Sequence, residues 1–211
     1  MRILFEDSEI IVIAKDALEL VHEAPGCEAP IIADELKRIY PEIADVGSSQ
    51  RPGVVHRLDL DTSGVMVFAR TAKAYIALRR QFESHKDIEK TYLAVCHGAP
   101  KKVSGRIEGP VGREHKFAVT NWQVLSKKNG VSLIEFKIET GRMHQIRIHA
   151  AELGCPIAGD LKYGNKALDR SMRRRPKRTL LHAAIISFIH PLTHRRVEFS
   201  CPPPEDIIYA I

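Results

Sequence analysis

The chain is poor in cysteine and has no long apolar run. Its four cysteines, Cys27, Cys96, Cys155 and Cys201, are scattered over 211 residues and form no Cys-x-x-Cys pair. That argues against a zinc site or a disulfide framework and for reduced thiols in a cytoplasmic protein. No apolar stretch is long enough to span a bilayer. The first residues, Met1-Arg2-Ile3-Leu4-Phe5-Glu6-Asp7, turn acidic at once and lack the pattern of a signal peptide. Internal repeats and linkers are also missing, so one domain over residues 1–211 is expected. What is present is an ordinary globular composition, 44% hydrophobic, with 32 Lys and Arg against 26 Asp and Glu. The resulting charge of +6 favours an anionic partner such as nucleic acid.

Hydrophobic periodicity predicts the elements. The β-branched run Ile10-Ile11-Val12-Ile13-Ala14 reads as a buried strand within 9–15. A loop follows over 16–28, with Pro25-Gly26, and an amphipathic helix over 30–40. Residues 47–53 read as a loop, 65–70 as a strand and 71–85 as a helix. A strand is expected over 91–96, then loops or a small hairpin over 98–115. Strands over 117–125 and 131–140 flank Asn129-Gly130, a hairpin-turn signal. The spacing predicts a helix over 143–153 closed by Gly154 as a C-terminal cap. Residues 164–178 form a strongly basic segment, read as a loop. Strands over 180–189 and 196–200 follow, and Pro202-Pro203-Pro204 ends regular structure. Neighbouring strands with inserted helices point to an α+β fold with a mixed, mainly antiparallel central sheet and flanking helices.

The stretch His56-Arg57-Leu58-Asp59-Leu60-Asp61-Thr62-Ser63-Gly64 is a polar knot delivered onto the start of a strand. Turn chemistry explains many of its residues. A strand-anchored loop also suits reactive groups. Asp59 and Asp61 invite a glycosidase reading, but that chemistry needs carboxylates on opposite sides of a sugar, so one reactive carboxylate is more economical. The histidines offer no His-Glu-x-x-His spacing for a metal. A second polar cluster, Gly141-Arg142-Met143-His144-Gln145-Ile146-Arg147-Ile148-His149, is either an exposed helix face or the source of an arginine that keeps a carboxylate ionised. Tyr92 reads either as a strand aromatic in a core or as a residue that stacks on a flipped base.

Taken in order, His56-Arg57-Leu58-Asp59 with Thr62-Ser63-Gly64, Lys90-Thr91-Tyr92, the 141–149 cluster, Pro156-Ile157-Ala158-Gly159-Asp160 with Tyr163-Gly164, and Leu181-His182-Ala183 resemble the RluA-type pseudouridine synthases. The resemblance implies a single catalytic domain without an S4-type module, isomerising uridine in structured RNA, ribosomal or transfer. It matches Asp59 to the catalytic aspartate, Tyr92 to the tyrosine that packs on the target base and is implicated in removing its C5 proton, and Arg147 to the arginine that salt-bridges the aspartate. Arg57 matches the arginine that fills the space left by the flipped nucleotide, and His56 is grouped with it in RNA binding. Arg173, Arg174 and Arg175 are expected to meet RNA phosphates. No metal or organic cofactor is implied, no membrane is involved, and a monomer is expected. Two departures stand out. Lys15-Asp16-Ala17-Leu18 replaces the family's Lys-Pro-(Ala/Ser)-Gly, removing the Pro and Gly turn chemistry, and Met143 replaces a small polar residue. Competing readings are a non-catalytic RNA-binding protein or folding chaperone on the same scaffold, and a carboxylate enzyme acting on small molecules. The positive charge speaks against the last.

Overall fold

The computed structural model describes residues 1–22, 31–112 and 114–211. Cys27 and the Pro25-Gly26 turn expected from the sequence lie outside the described residues. The elements run β1 (Arg2–Glu6), β2 (Ile10–Lys15), α1 (Ile32–Ile39), a 3-10 turn (Pro41–Asp45), β3 (Gly47–Ser48), β4 (Arg51–Pro52), β5 (Ser63–Ala69), α2 (Ala72–Ser84) and β6 (Glu89–His97). They continue β7 (Ser104–Val111), β8 (Lys116–Lys128), β9 (Val131–Ile138), α3 (Gln145–Glu152), α4 (Lys166–Ser171), β10 (Leu181–Ile189), β11 (Arg196–Ser200) and α5 (Glu205–Ile208). The fold is α+β with a mainly antiparallel central sheet, as expected.

The chain divides into two compact units, Met1–Ile88 with Ile185–Cys201, and Glu89–Ala184 with Pro202–Ile211. In the first, β2 is buried along its whole length between antiparallel partners β1 and β5. The β-branched residues Ile10, Val12, Val65 and Val67 join Ala74 and Leu78 of α2 and Ile186 and Phe188 of β10 in one apolar cluster. α2 starts at a Thr71 cap, whose side chain accepts from the Ala74 amide at 3.0 Å, and ends at a left-handed His85. In the second unit the strands lie in the order β6-β9-β8-β7, all antiparallel. Asn129 and Gly130, with φ of 53° and 77°, supply the left-handed pair a tight hairpin needs.

Several elements differ from expectation, among them the 47–53 loop, in which β3 and β4 pair. β1 was not anticipated, because it is an edge strand whose Ile3 and Phe5 stay partly exposed and show no buried face. The 98–115 segment, expected as loops or a small hairpin, contributes the eight-residue β7, which pairs antiparallel with β8 despite Gly105, Gly109 and Pro110. A Cβ on Gly105 would lie 2.8 Å from the Trp122 ring opposite, so the missing side chain makes room for the indole. The Pro-rich tail does not end regular structure: α5 follows it.

Candidate active site

The Asp59 loop is built in the first unit. Val54 bridges to Phe68 of β5, and the chain then crosses to His56. His56 Nε2 accepts from the Val67 amide at 3.0 Å, and its ring stacks on Phe82 with centroids 4.4 Å apart. An accepting Nε2 places the proton of a neutral ring on Nδ1. His56 is thereby a loop anchor in this unit. Arg57 beside it is exposed, Leu58 is buried, and Asp59 is half-buried. The Thr62 amide donates to the Asp59 carbonyl at 3.0 Å and closes a four-residue turn. β5 then starts at Ser63.

Lys15, at the end of β2, is 1% exposed. Its ammonium donates to the carbonyls of Asp16 at 2.8 Å, Leu60 at 3.0 Å and Thr62 at 2.8 Å. A buried cation is tolerated when its donors are satisfied, and here two of the three acceptors belong to the loop that carries Asp59. The neighbouring departure also resolves. Leu18 takes a left-handed φ of 68°, and its amide donates to the Leu60 carbonyl at 2.8 Å. The turn survives without glycine, at a backbone cost of about 1–2 kcal/mol for a residue with a Cβ.

The second unit positions Tyr92 and Arg147. Tyr92 lies on β6 opposite Phe136, half-buried against an apolar cluster that includes Ile146 and Ala150 of α3. The expected helix start at Met143 moves to Gln145. His144 is left-handed, and the buried Gln145 side chain holds the preceding loop: it accepts from Thr140 Oγ1 at 2.7 Å and the Arg142 amide at 3.0 Å, and donates to the Val119 carbonyl and Thr120 Oγ1, both at 2.9 Å. At the far end the amides of Gly154 and Cys155 bond the Ala151 and Ala150 carbonyls, a Schellman closure.

Arg147 is buried and donates in a fork to Asp160, Nε to Oδ2 at 2.7 Å and Nη2 to Oδ1 at 2.8 Å. Its guanidinium also lies over Tyr163, 5.4 Å from the ring centroid. Burial alone would push the Asp160 carboxyl up. The Arg147 hydrogen bonds, the Tyr163 and Lys162 amides and the Arg147 charge outweigh that and hold it below its ordinary value. Asp160 therefore stays ionised and fixes the orientation of Arg147.

The basic segment is not one loop. Residues 166–171 form α4, capped by Asn165, and Asp169 within it is buried, accepting from the Gly159 amide at 2.8 Å and facing His97 Nε2 at 2.7 Å. Arg178 is buried and forks onto Asp206 at 2.7 and 2.9 Å. Arg173, Arg174 and Arg175 are exposed, with Arg174 over the Tyr209 ring at 4.9 Å.

The structure thus groups Tyr92 with Arg147 in one unit and His56, Arg57 and Asp59 in the other. Sequence reasoning assigned no role to Lys15, Gln145 or Asp160. A lysine closing a wholly apolar strand was the readable signal for the first. The other two sat unweighted inside quoted motifs. Among the described residues no three His, Cys, Asp or Glu side chains gather as metal ligands.

Residues 9–152 match the family described as RNA pseudouridylate synthase. An uncharacterized RNA pseudouridine synthase of Mycobacterium bovis is 38% identical over 225 residues, covering 100% of this chain and 72% of that protein. Ribosomal large subunit pseudouridine synthase D of Zymomonas mobilis is 34% identical, covering 98% and 70%. The solved structure of human RNA pseudouridylate synthase domain containing 4 superposes with a TM-score of 0.81 at 24% identity, covering 99% of this chain and 91% of that one, a likeness of fold. The chain belongs to the RNA pseudouridylate synthases, and is an RNA-modifying isomerase of the RluA type.

Proposed function

We propose that this enzyme converts particular uridines of structured RNA to pseudouridine with Asp59 as its catalytic carboxylate. We assign residues 1–211 to one catalytic domain, acting as a cytoplasmic monomer. The observation that carries the reading is the Asp59 turn, a half-buried carboxylate on a loop whose carbonyls are held by the buried Lys15 ammonium. Precise positioning of a reactive group accounts for a large part of a typical rate enhancement.

The reaction breaks the N1–C1′ bond of uridine, turns the uracil, forms C5–C1′ and releases the C5 proton while N1 takes one up. Composition is unchanged, so no co-reactant is needed. Asp59 acts at C1′ or assists uracil loss through a glycal-like intermediate; both routes make the same bond changes. Tyr92 packs on the base and takes part in removing the C5 proton. Arg147, its orientation fixed by Asp160, is the arginine we assign to the catalytic set. Uridine must leave its stack for this chemistry, and exposed Arg57 is suited to fill the gap. Arg173, Arg174 and Arg175 contact phosphates. Ribosomal RNA is favoured as substrate by relatives named as ribosomal large subunit synthases. Among the described residues no helix is long and apolar enough to cross a membrane.

The test is tritium release from RNA labelled at C5 of uridine, with ribosomal and transfer RNA offered separately to wild type and Asp59→Asn. Release from the ribosomal pool by wild type alone is expected. Release by Asp59→Asn at the wild-type rate would remove the carboxylate from the mechanism.

A further inference from the structure

α4 is fastened to the second unit by a carboxylate. Lys166, Ala167, Leu168, Arg170 and Ser171 are exposed, and the buried residue of this helix is Asp169, 6% exposed. A surface helix ordinarily turns an apolar stripe inward, and so short a helix does not hold its form unaided. Here Asp169 Oδ1 accepts from the Gly159 amide at 2.8 Å and lies 2.7 Å from Nε2 of His97, a buried residue at the end of β6. Burial of a carboxylate requires such partners, and both come from outside α4.

Gly159 opens the turn that meets Arg147. The next residue, Asp160, accepts the Arg147 fork at 2.7 and 2.8 Å, and its Oδ1 also accepts from the Lys162 and Tyr163 amides at 2.9 and 3.0 Å. The Gly164 amide donates to the Asp160 carbonyl at 2.9 Å and closes the turn. Tyr163 sets its ring against the Arg147 guanidinium, and its hydroxyl lies 3.2 Å from Nδ1 of His144, just before α3. The 159–164 turn thus supplies both the carboxylate and the ring that Arg147 meets. Gly159 is also walled in, since a Cβ there would lie 1.9 Å from the Arg178 carbonyl oxygen and 2.9 Å from Pro176 Cβ. The Asp169 bond fixes the start of the turn against that wall. All of these residues belong to the second unit.

We propose that Asp169 is a positioning residue of the isomerisation: its bond to the Gly159 amide places Asp160, and with it Arg147. This rests on the reading of Arg147 as a member of the catalytic set, and names what holds that arginine in place. Asp169 acts through Gly159 and Asp160 and performs no step of the chemistry itself.

The experiment compares full-length wild type, Asp169→Ala and Asp169→Asn. The first readout is solvent exchange of the 15N-labelled Arg147 Nε–H without RNA, its signal identified by its loss in Arg147→Lys. The second is turnover at saturating RNA, with the pool from which wild type releases tritium. Asp169→Ala should exchange Arg147 Nε–H faster and turn over roughly ten- to a hundredfold more slowly, the scale of a small misplacement in a site, while RNA affinity holds. Asp169→Asn, whose amide oxygen still accepts from Gly159, should recover most of the rate; no recovery overturns the role of the Gly159 bond. A purely structural Asp169 predicts a lower melting temperature with wild-type exchange and turnover in the folded protein, and that result overturns the inference. Slower turnover with unchanged Arg147 exchange overturns it as well. If Asp169→Ala does not fold, Asp169→Glu keeps the carboxylate one methylene further out and shifts the turn. Faster exchange and slower turnover are expected there too, and wild-type values for both overturn the inference. Failure of the wild type to release tritium from any pool is a separate result that refutes the proposed function, and the exchange measurement does not depend on it.

Discussion

Lys15 shows how one side chain can act on a site without belonging to its chemistry. Its ammonium ties the end of β2 to the Leu60 and Thr62 carbonyls, and Asp59 lies at the start of that turn. Replacing it with methionine removes the charge and leaves three carbonyls without their donor. We expect Lys15→Met to lose about 3 kcal/mol of stability. Turnover should fall while RNA affinity holds, because the loop slackens with its carboxylate still present. Urea unfolding and tritium release on the same preparation check both. Unchanged turnover in a destabilised protein would confine Lys15 to folding. At this scale motifs mark Asp59, Tyr92 and Arg147 as the residues to propose. The sequence was not legible where the role came from a bond between distant segments. Nothing at position 15 announces that its acceptors lie 45 and 47 residues further on.

Among the elements, α3 and the loops around it depend on two glycines of nearly equal φ and very different surroundings. Gly154, at 74°, closes α3, and a Cβ there would meet nothing within 4 Å. Gly159, at 77°, precedes Asp160, and a Cβ there would lie 1.9 Å from the Arg178 carbonyl oxygen. Gly154→Ala should therefore cost only the left-handed backbone penalty, about 1 kcal/mol. Gly159→Ala must displace the backbone that holds Arg178 and should cost more than about 4 kcal/mol. It should also disturb the Asp160–Arg147 fork, so thermal melts and activity should separate the two variants. The Gly154 cap was readable because a glycine ending an amphipathic run has a local cause. The Gly159 requirement was not, since the obstructing atom is remote in sequence. The same distinction explains the strands: β2, β5, β9 and β10 announce themselves by buried apolar residues, whereas β1 and β7 are edge strands whose pairing overrides a weak pattern.

Over the whole molecule, the charge of +6 is unevenly employed. Arg178 and Arg147 are consumed by internal carboxylates, while Arg173, Arg174 and Arg175 stay exposed. Changing those three to glutamine should lower RNA affinity and flatten its salt dependence, while turnover at saturating RNA persists, because counterion release belongs to binding. Filter retention across a salt series measures the first, and tritium release the second. Unaltered affinity would make the segment an ordinary hydrated surface.

The first unit is also interrupted in the chain, since its core needs Ile186, Phe188 and Cys201 as well as residues of the first 88. On a translating ribosome, β2 and β5 emerge early and wait through more than a hundred further codons for the strand that completes their cluster. The intervening Glu89–Ala184 segment, contiguous but for its own C-terminal part, can collapse during that interval. Synthesis order thus bears on folding order: Lys15 can pin the loop that carries Asp59 early, while the apolar cluster of the same unit stays open until Ile185–Cys201 has been made.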